Sequence, residues 1–142
     1  MRYWLIKSEP EAYSWSDFQR DCITSWDGVR NYQARNNLRA MSVGDRALFY
    51  HSGSERAVVG IAEVVQTAYQ DPTTNDPSWV CVDVRPLQQF KKPVRLKTIK
   101  ATPQLVRIGL LKQPRLSVVS LSEEEFKTLC ELGESCSDSN NS

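Results

Sequence analysis

The sequence predicts an α+β fold, a small mixed β-barrel of about six strands with short helices around it. Three observations support this prediction. Segments with the two-residue alternation of β-strands recur along the chain, the helical segments between them are short, and no β-α-β unit of standard length repeats. The 142 residues, of which 40% are hydrophobic and 25% charged, suit one domain with its own core.

The first strand and the first helix are predicted near the N-terminus. Residues 2–7 place apolar side chains on both faces, so we expect a strand that is covered on both sides. Ser14 or Ser16 can cap a short helix that runs to about Asp21, because a serine hydroxyl accepts a hydrogen bond from the first free amides of a helix.

A loop and a surface helix follow. Residues 24–30 are expected to form a loop with Trp26 in its middle. Asn31 can cap a helix over residues 32–41, and Gly44 ends it. The side chains of this segment are mostly polar, with a narrow apolar stripe, which is typical of a helix on the surface.

The middle of the chain predicts three strands. Residues 45–51 and 57–67 are joined by the turn-forming residues 52–54, and residues 71–77 have the composition of a loop. Residues 79–85 alternate strictly, with valine at every second position. This alternation is typical of a half-buried antiparallel strand.

The C-terminal part predicts two short strands and two helices. Residues 93–97 suit an edge strand, and a brief helix is expected to begin at Thr102 and to end near Gly109. Residues 116–121 predict the last strand. Residues 122–132 predict a helix, because they begin with the Ser-x-x-Glu pattern of a capping box.

Composition limits the kinds of protein that this chain can be. We expect one domain over residues 1–133 and a disordered tail over residues 134–142, which are rich in serine and asparagine. No apolar run is long enough to span a membrane, and the N-terminus lacks a secretory signal. Four widely spaced cysteines and a single histidine do not supply a zinc site. We therefore expect reduced thiols, no metal and no cofactor.

The net charge of +1 does not indicate a partner, but the distribution of charge is uneven. Residues 91–120 contain eight basic side chains and no acidic one, and Arg30, Arg35 and Arg39 recur at helical spacing. Such a basic stripe is typical of a surface that binds a polyanion. A solvated surface would look the same, so charge alone does not decide between them.

The residues that could catalyse a reaction are few. His51 lies beside Ser52, and either His51 or Glu9 could act as a general base. The chain has no G-x-S-x-G turn, no glycine-rich phosphate loop and no acid that would clearly orient the histidine. A histidine at a strand end more often bonds backbone groups. We therefore expect that the protein is not an enzyme.

A binding site is better supported, because aromatic and polar residues could share one rim. Trp26 lies in a loop, where it either fills the core or forms the wall of a slot. A planar base fits between aromatic walls and polar edges, because stacking and edge hydrogen bonds act together. The other candidates for this rim are Tyr32, Tyr50, His51, Ser8, Asn31 and Ser52.

Several motifs in the sequence resemble those of the EVE domain family. The most specific is W-D-G-V-R-N-Y-Q-A-R-N at residues 26–36. The others are K-S-E-P at 7–10, G-D at 44–45, F-Y-H-S at 49–52, V-G-I at 59–61, Tyr69 with D-P-T at 71–73, and R-L-S-V at 115–118. The resemblance covers about residues 1–132, nearly the whole chain.

The resemblance implies a PUA-like β-barrel with surrounding helices and a role in reading modified bases. EVE domains are similar to YTH domains, which hold a methylated adenine in an aromatic cage, and are regarded as readers of methylated or hydroxymethylated cytosine. By this resemblance Lys7 and Ser8 lie at the mouth of the pocket, Trp26 forms one wall and Asp27 adds a contact. Tyr32, Tyr50 and His51 are our candidates for the other walls.

These observations predict a module that holds one modified base of a nucleic acid, DNA more than RNA. Ser8, Asn31 and Ser52 would supply hydrogen bonds. The residues expected to contact phosphates are Arg30, Arg35, Lys91, Lys92 and Arg115. We expect a monomer in a bacterial cytoplasm or a nucleus. Two alternatives stay open, a nucleobase- or nucleotide-acting enzyme that uses His51 or Glu9, and a module that binds a peptide.

Overall fold

A computed structural model describes residues 1–134, which form six strands and five α-helices. The strands are β1 Tyr3–Ser8, β2 Thr24–Trp26, β3 Arg46–His51, β4 Ala57–Gln70, β5 Val80–Arg95 and β6 Val118–Leu121. The helices are α1 Trp15–Asp21, α2 Tyr32–Ala40, α3 Leu96–Lys100, α4 Gly109–Lys112 and α5 Glu123–Leu132, with a 3-10 turn at Pro103–Leu105. Residues 135–142 of the predicted tail lie outside the described residues.

All six strands belong to one mixed sheet with the order β2-β5-β4-β3-β1-β6. Strands β1 and β3 are parallel, and every other neighbouring pair is antiparallel. The predicted α+β class and the predicted number of strands are therefore confirmed.

The sheet curls so that its two edges approach each other. The register between β4 and β5 shifts at four places, and such bulges bend and twist a sheet. Helix α2 packs against both β5 and β6, which lie near opposite ends of the strand order. The helix thus covers the gap between the two edges of a sheet that is barrel-like but not closed.

Local capping signals place the helices as the sequence predicts. The hydroxyl of Ser14 accepts a hydrogen bond from the Asp17 amide at 3.1 Å, and the Asp17 carboxylate accepts one from the Ser14 amide at 3.0 Å. Asn31 caps α2 by accepting a hydrogen bond from the Ala34 amide at 2.9 Å. The capping box at the start of α5 is also present.

The structure differs from the predictions in the second half of the chain. Residues 79–85 and 93–97 are not two strands, because β5 runs unbroken from Val80 to Arg95 and pairs with β4 over its length. The segment after β5 is helix α3 rather than the end of a strand. Gly109 begins a helix instead of ending one. Part of the predicted loop over residues 24–30 is strand β2, which pairs with β5.

No helix among residues 1–134 combines the length and the apolar character needed to cross a lipid bilayer.

Candidate functional site

A cavity of about 440 Å³ opens where the two edges of the sheet approach each other. Its size is within the range of ligand-binding pockets, roughly 300–1,000 Å³. One wall comes from β2 and the loop that follows it, and the other from the end of β1 and the start of β6. The lining residues are Lys7, Ser8, Tyr13, Thr24, Ser25, Trp26, Asp27, Gly28, Val29, Arg30 and Ser117.

Trp26 both belongs to the core and forms a wall of this cavity. Its side chain is 9% exposed, and its ring centroid lies 5.5 Å from Phe49, 6.5 Å from Phe18 and 6.3 Å from Tyr13. All three neighbouring rings are steeply inclined to the indole, at 80°, 67° and 75°. None of these rings is stacked parallel to the indole. The two alternatives that the sequence leaves open for Trp26 are thus both realised.

Ser8 and Tyr13 form a polar corner of the cavity. The hydroxyl of Ser8 donates a hydrogen bond to the carbonyl oxygen of Tyr13 at 2.6 Å, so its own oxygen keeps lone pairs that can accept one. The Tyr13 hydroxyl donates to Asp21 at 2.8 Å, which holds the ring in place. Tyr13 is not among the predicted site residues. Tyr13 comes just before the cap Ser14, a position from which an apolar side chain often packs on the helix. This position could have indicated that the Tyr13 ring packs near α1.

Lys7 supplies a fixed positive charge beside the cavity. Its Nζ donates a hydrogen bond to the carbonyl oxygen of Pro114 at 2.8 Å and lies 6.0 Å from the centre of the Tyr50 ring. Burial lowers the pKa of the Lys7 ammonium group, because burial disfavours its charged form.

The loop after Trp26 is held by Asp71, a fully buried carboxylate. Asp71 Oδ2 accepts hydrogen bonds from the Gly28 amide at 2.7 Å and from Arg30 Nη1 at 3.0 Å. Asp71 Oδ1 accepts from the amide and the hydroxyl of Thr73, at 2.7 and 2.6 Å. Burial opposes ionisation of Asp71, but these hydrogen bonds outweigh burial and hold its pKa well below the usual range.

Gly28 is the residue that lets this loop turn. Its φ of +78° lies in the left-handed region, which residues with a Cβ rarely adopt. The turn directs the Gly28 amide toward Asp71 and brings Arg30 to the rim of the cavity. Of the predicted site residues, the structure therefore brings together Lys7, Ser8, Trp26, Asp27 and Arg30.

Four other predicted site residues do not line the cavity, because their side chains serve the fold or point elsewhere. Asn31 uses its side-chain oxygen to cap α2. Tyr50 and His51 are 3% and 7% exposed, since β3 is covered on both faces. Ser52 follows β3, and its backbone amide donates a hydrogen bond to the carbonyl oxygen of Ser8 at 2.9 Å.

His51 has one ring nitrogen that is hydrogen-bonded to the backbone and one that lies close to a carboxylate. Its Nε2 accepts a hydrogen bond from the amide of Trp15 at 3.0 Å, and its Nδ1 lies 3.1 Å from Glu55 Oε2. The nitrogen that accepts an amide hydrogen carries none itself, so in the neutral ring the hydrogen is on Nδ1 and faces Glu55. His51 therefore joins the end of β3 to the start of α1.

Tyr32 lies outside the cavity, on the protein surface next to it. Its ring stacks on Trp79, with a centroid distance of 5.0 Å and an angle of 30°. The guanidinium of Arg35 lies 4.9 Å from the centre of the Tyr32 ring, and that of Arg30 lies 5.7 Å from the centre of the Trp79 ring. Trp79 is not among the predicted site residues, because its place in the alternating segment indicates only a strand.

The remaining predicted phosphate contacts are divided between two places. Arg115 follows Pro114, which binds Lys7, and lines a shallow surface hollow with Asn31 beside the cavity. Lys91 and Lys92 lie in the second half of β5, whereas Trp26 pairs with Val82 near the start of that strand. The structure therefore does not bring the two lysines to the cavity.

A larger cavity of about 550 Å³ lies near the other end of β1, beside α5. Apolar side chains such as Tyr3, Ile61 and Phe126 contribute to its lining. None of the predicted site residues lines it. The smaller cavity with its polar corner and cationic rim is therefore the candidate site.

Comparison with known proteins agrees with the motifs. The family model of the EVE domain matches residues 2–132. Mouse thymocyte nuclear protein 1 is 37% identical over an alignment that covers 93% of this chain and 74% of the mouse protein.

Solved structures have the same fold. A protein from Agrobacterium tumefaciens, 44% identical, superimposes with a TM-score of 0.93 over 95% of this chain and 94% of its own. Human THYN1, solved in complex with DNA that contains 5-methylcytosine, is 33% identical with a TM-score of 0.88, over 94% of this chain and 98% of its own. With a family match over nearly all its length and relatives well above 30% identity, this chain belongs to the EVE domain family.

Proposed function

We propose that this protein reads modified DNA by holding one methylated or hydroxymethylated cytosine in the 440 Å³ cavity. The observation that carries the proposal is the Trp26 indole on the cavity wall, with its three ring neighbours inclined rather than parallel to it. A base that enters the cavity can stack on such a ring. The human relative solved with DNA that contains 5-methylcytosine supports cytosine as the base.

Each chemical feature of the base has a counterpart in the cavity. Stacking on an aromatic side chain is worth about 1–3 kcal/mol for one base. The exocyclic amino group of cytosine is a donor, and the Ser8 oxygen can accept from it because its own hydrogen is directed to Tyr13. The other edge atoms of the ring, N3 and O2, are acceptors, to which the backbone amide of Asp27 can donate.

The methyl group itself contributes little energy. Burying one methyl group gains under about 1 kcal/mol, so discrimination against unmodified cytosine is roughly fivefold from area alone. A larger preference requires a close fit around the methyl group. The half-buried Ser8 and the buried Trp26 form the enclosed part of the cavity where such a fit can occur.

The charges at the rim suit the phosphates of the strand that carries the base. Arg30 lines the cavity, and Arg35 and Arg115 lie on the surface beside it. Taking a base out of a duplex costs a few kcal/mol. We therefore expect modest affinity for duplex DNA, tighter binding to single strands, and a steep decrease of affinity with salt.

The proposed function is binding without a chemical step. His51, the candidate general base, uses Nε2 to accept the Trp15 amide and directs Nδ1 toward Glu55. Nε2 is therefore engaged by the fold, and the buried ring does not line the cavity. Glu9, the other candidate, does not line the cavity.

Binding of two oligonucleotides tests the proposal. The oligonucleotides are single-stranded, have one sequence, and differ only in one cytosine, which is either 5-methylated or unmodified. We expect the wild-type protein to bind the methylated form more tightly. Ser117→Phe should weaken binding about tenfold or more, because the new ring fills the cavity opposite Trp26.

Ser120→Phe is the matched control, because Ser120 is an exposed residue of the same region and lies outside the cavity. It should bind as the wild type does. Equal affinity of the wild type for both oligonucleotides, together with unchanged binding by Ser117→Phe, would refute the proposed function.

A further inference from the structure

Tyr32 and Trp79 form a stacked aromatic pair on the protein surface, and the exposure of Tyr32 is not explained by packing in the core. Tyr32 is 64% exposed, although it is a large aromatic side chain at the first position of α2. Its contact with Trp79 is made on the protein surface, at a centroid distance of 5.0 Å. An exposed aromatic group that is held in a fixed position is typical of an interaction surface.

Two arginines lie against this pair: Arg30, which is ion-paired with Asp71, and Arg35, which forms no ion pair within the described residues. The Arg35 guanidinium lies 4.9 Å from the centre of the Tyr32 ring and 6.0 Å from that of Trp79. Its hydrogen-bond partners within the described residues are neutral oxygens, those of the Asn36 side chain and the Ser78 backbone. Asp76 lies close enough to interact electrostatically with Arg35, but no ion pair joins the two side chains within the described residues, so the Arg35 guanidinium can still contact an anion. We call Tyr32, Trp79, Arg30 and Arg35 the aromatic platform.

The aromatic platform is continuous with the candidate cavity. Arg30 lines the cavity and its guanidinium also lies 5.7 Å from the centre of the Trp79 ring. The hydrogen bonds of Arg30 to Asp71 and Thr73, both at 3.0 Å, fix it between the two places. A strand whose modified base enters the cavity on the Arg30 side therefore passes close to the platform.

Aromatic rings beside fixed guanidinium groups have the chemistry that binds a nucleotide of any sequence. Every base has a flat face that stacks on an aromatic ring, and the guanidinium groups attract its phosphate. An apolar peptide would gain nothing from the Arg35 guanidinium, which forms no ion pair within the described residues. The charge therefore favours a nucleic acid strand over a peptide as the occupant.

We infer that the aromatic platform stacks an unmodified base next in the strand to the modified base in the cavity. This inference rests on the proposed function and adds a second subsite to it. The platform supplies affinity without sequence preference, and the cavity supplies the preference for the modification.

The test uses two single-stranded oligonucleotides that each contain one 5-methylcytosine. In the second, the nucleotides on both sides of the 5-methylcytosine are abasic. Tyr32→Ala should weaken binding of the first about tenfold, because one base loses its stacking partner. It should leave binding of the abasic oligonucleotide unchanged, since that strand has no neighbouring base to stack. Tyr32→Phe, which keeps the ring, should bind both as the wild type does.

Thermal unfolding of each variant checks that the fold is retained. Unchanged binding of the first oligonucleotide by folded Tyr32→Ala would overturn the inference, and so would an equal loss for both oligonucleotides. If Ser117→Phe weakens binding but Tyr32→Ala does not, the platform alone is refuted. If the wild type binds methylated and unmethylated strands equally and Ser117→Phe does not change binding, the proposed function and the platform are both refuted.

Discussion

Asp71 Oδ2 accepts hydrogen bonds from both the Gly28 amide, at 2.7 Å, and the Arg30 guanidinium, at 3.0 Å. Asp71 lies directly after β4, whereas Gly28 and Arg30 lie in the loop between β2 and α2. A buried carboxylate thus sets the shape of the loop that walls the candidate cavity. Because its partners are 43 and 41 residues away in sequence, it also joins distant parts of the chain.

Asp71→Asn should destabilise the protein. The substitution preserves shape but replaces one acceptor oxygen with an NH₂ group that faces hydrogen-bond donors. We expect a loss of about 3 kcal/mol in the free energy of unfolding, because a buried charged hydrogen-bond network loses its centre. Urea denaturation measures it. Asp76→Asn, at an exposed carboxylate in the same loop, is the control and should have a much smaller effect. Equal stability of Asp71→Asn and wild type would contradict the role of Asp71.

The contribution of Asp71 should depend on pH in one direction. Its pKa in the folded protein is held well below the ordinary value of 3.8. A carboxyl group of this kind stabilises the fold above its unfolded pKa, and the stabilisation is lost as the pH decreases through the folded pKa. The difference in unfolding free energy between wild type and Asp71→Asn should therefore be constant above about pH 5 and decrease at lower pH. If the difference in unfolding free energy between wild type and Asp71→Asn increased as the pH is lowered, the proposed contribution of the Asp71 carboxylate would be contradicted.

Gly60→Ala should destabilise the barrel through Trp15. A Cβ atom at position 60 would lie 2.5 Å from Cη2 of the Trp15 ring, well inside van der Waals contact. Trp15 is 3% exposed, and the β4 backbone is paired on both sides, so neither group can move freely. We expect a loss of about 1–3 kcal/mol, measured by urea denaturation. The loss should be smaller in a Trp15→Phe background, and equal losses in the two backgrounds would exclude the proposed clash.

His51→Ala should weaken the attachment of α1. The substitution leaves the Trp15 amide, at the first position of α1, without the acceptor that lies 3.0 Å away in the wild type. An unpaired buried amide costs about 1–3 kcal/mol. Hydrogen exchange should show faster exchange of the Trp15 amide, with the amides of β6 as the internal reference. Unaltered protection of the Trp15 amide would mean that His51 has a different role.

Elements with local signals were predictable from the sequence. Helices α1, α2 and α5 begin at the predicted caps because a capping side chain acts within three residues of its own position. The sequence predicts strand β5 as two pieces because the strict alternation covers only residues 79–85. Its continuity comes from pairing with β4, which includes bulges, and bulges accommodate proline.

The candidate site was predictable only in part. Lys7, Ser8 and Trp26 belong to motifs that resemble those of the EVE domain family, and the structure brings them to one cavity. The sequence predicts Tyr50 and His51 at the rim, but both side chains are buried because β3 is covered on both faces. The role of Asp71 arises from contacts across more than 40 residues, for which the sequence has no local signal.

The contact between the modified base and the indole can be measured directly by NMR. A single-stranded oligonucleotide with a ¹³C-labelled methyl group on its one 5-methylcytosine is bound to the protein, and nuclear Overhauser effects from that methyl group are recorded. We expect effects to the ring protons of Trp26, because the methyl group enters the cavity that this ring walls. A saturated complex whose methyl group shows no effect to Trp26 or to any other residue of the cavity would contradict the central claim.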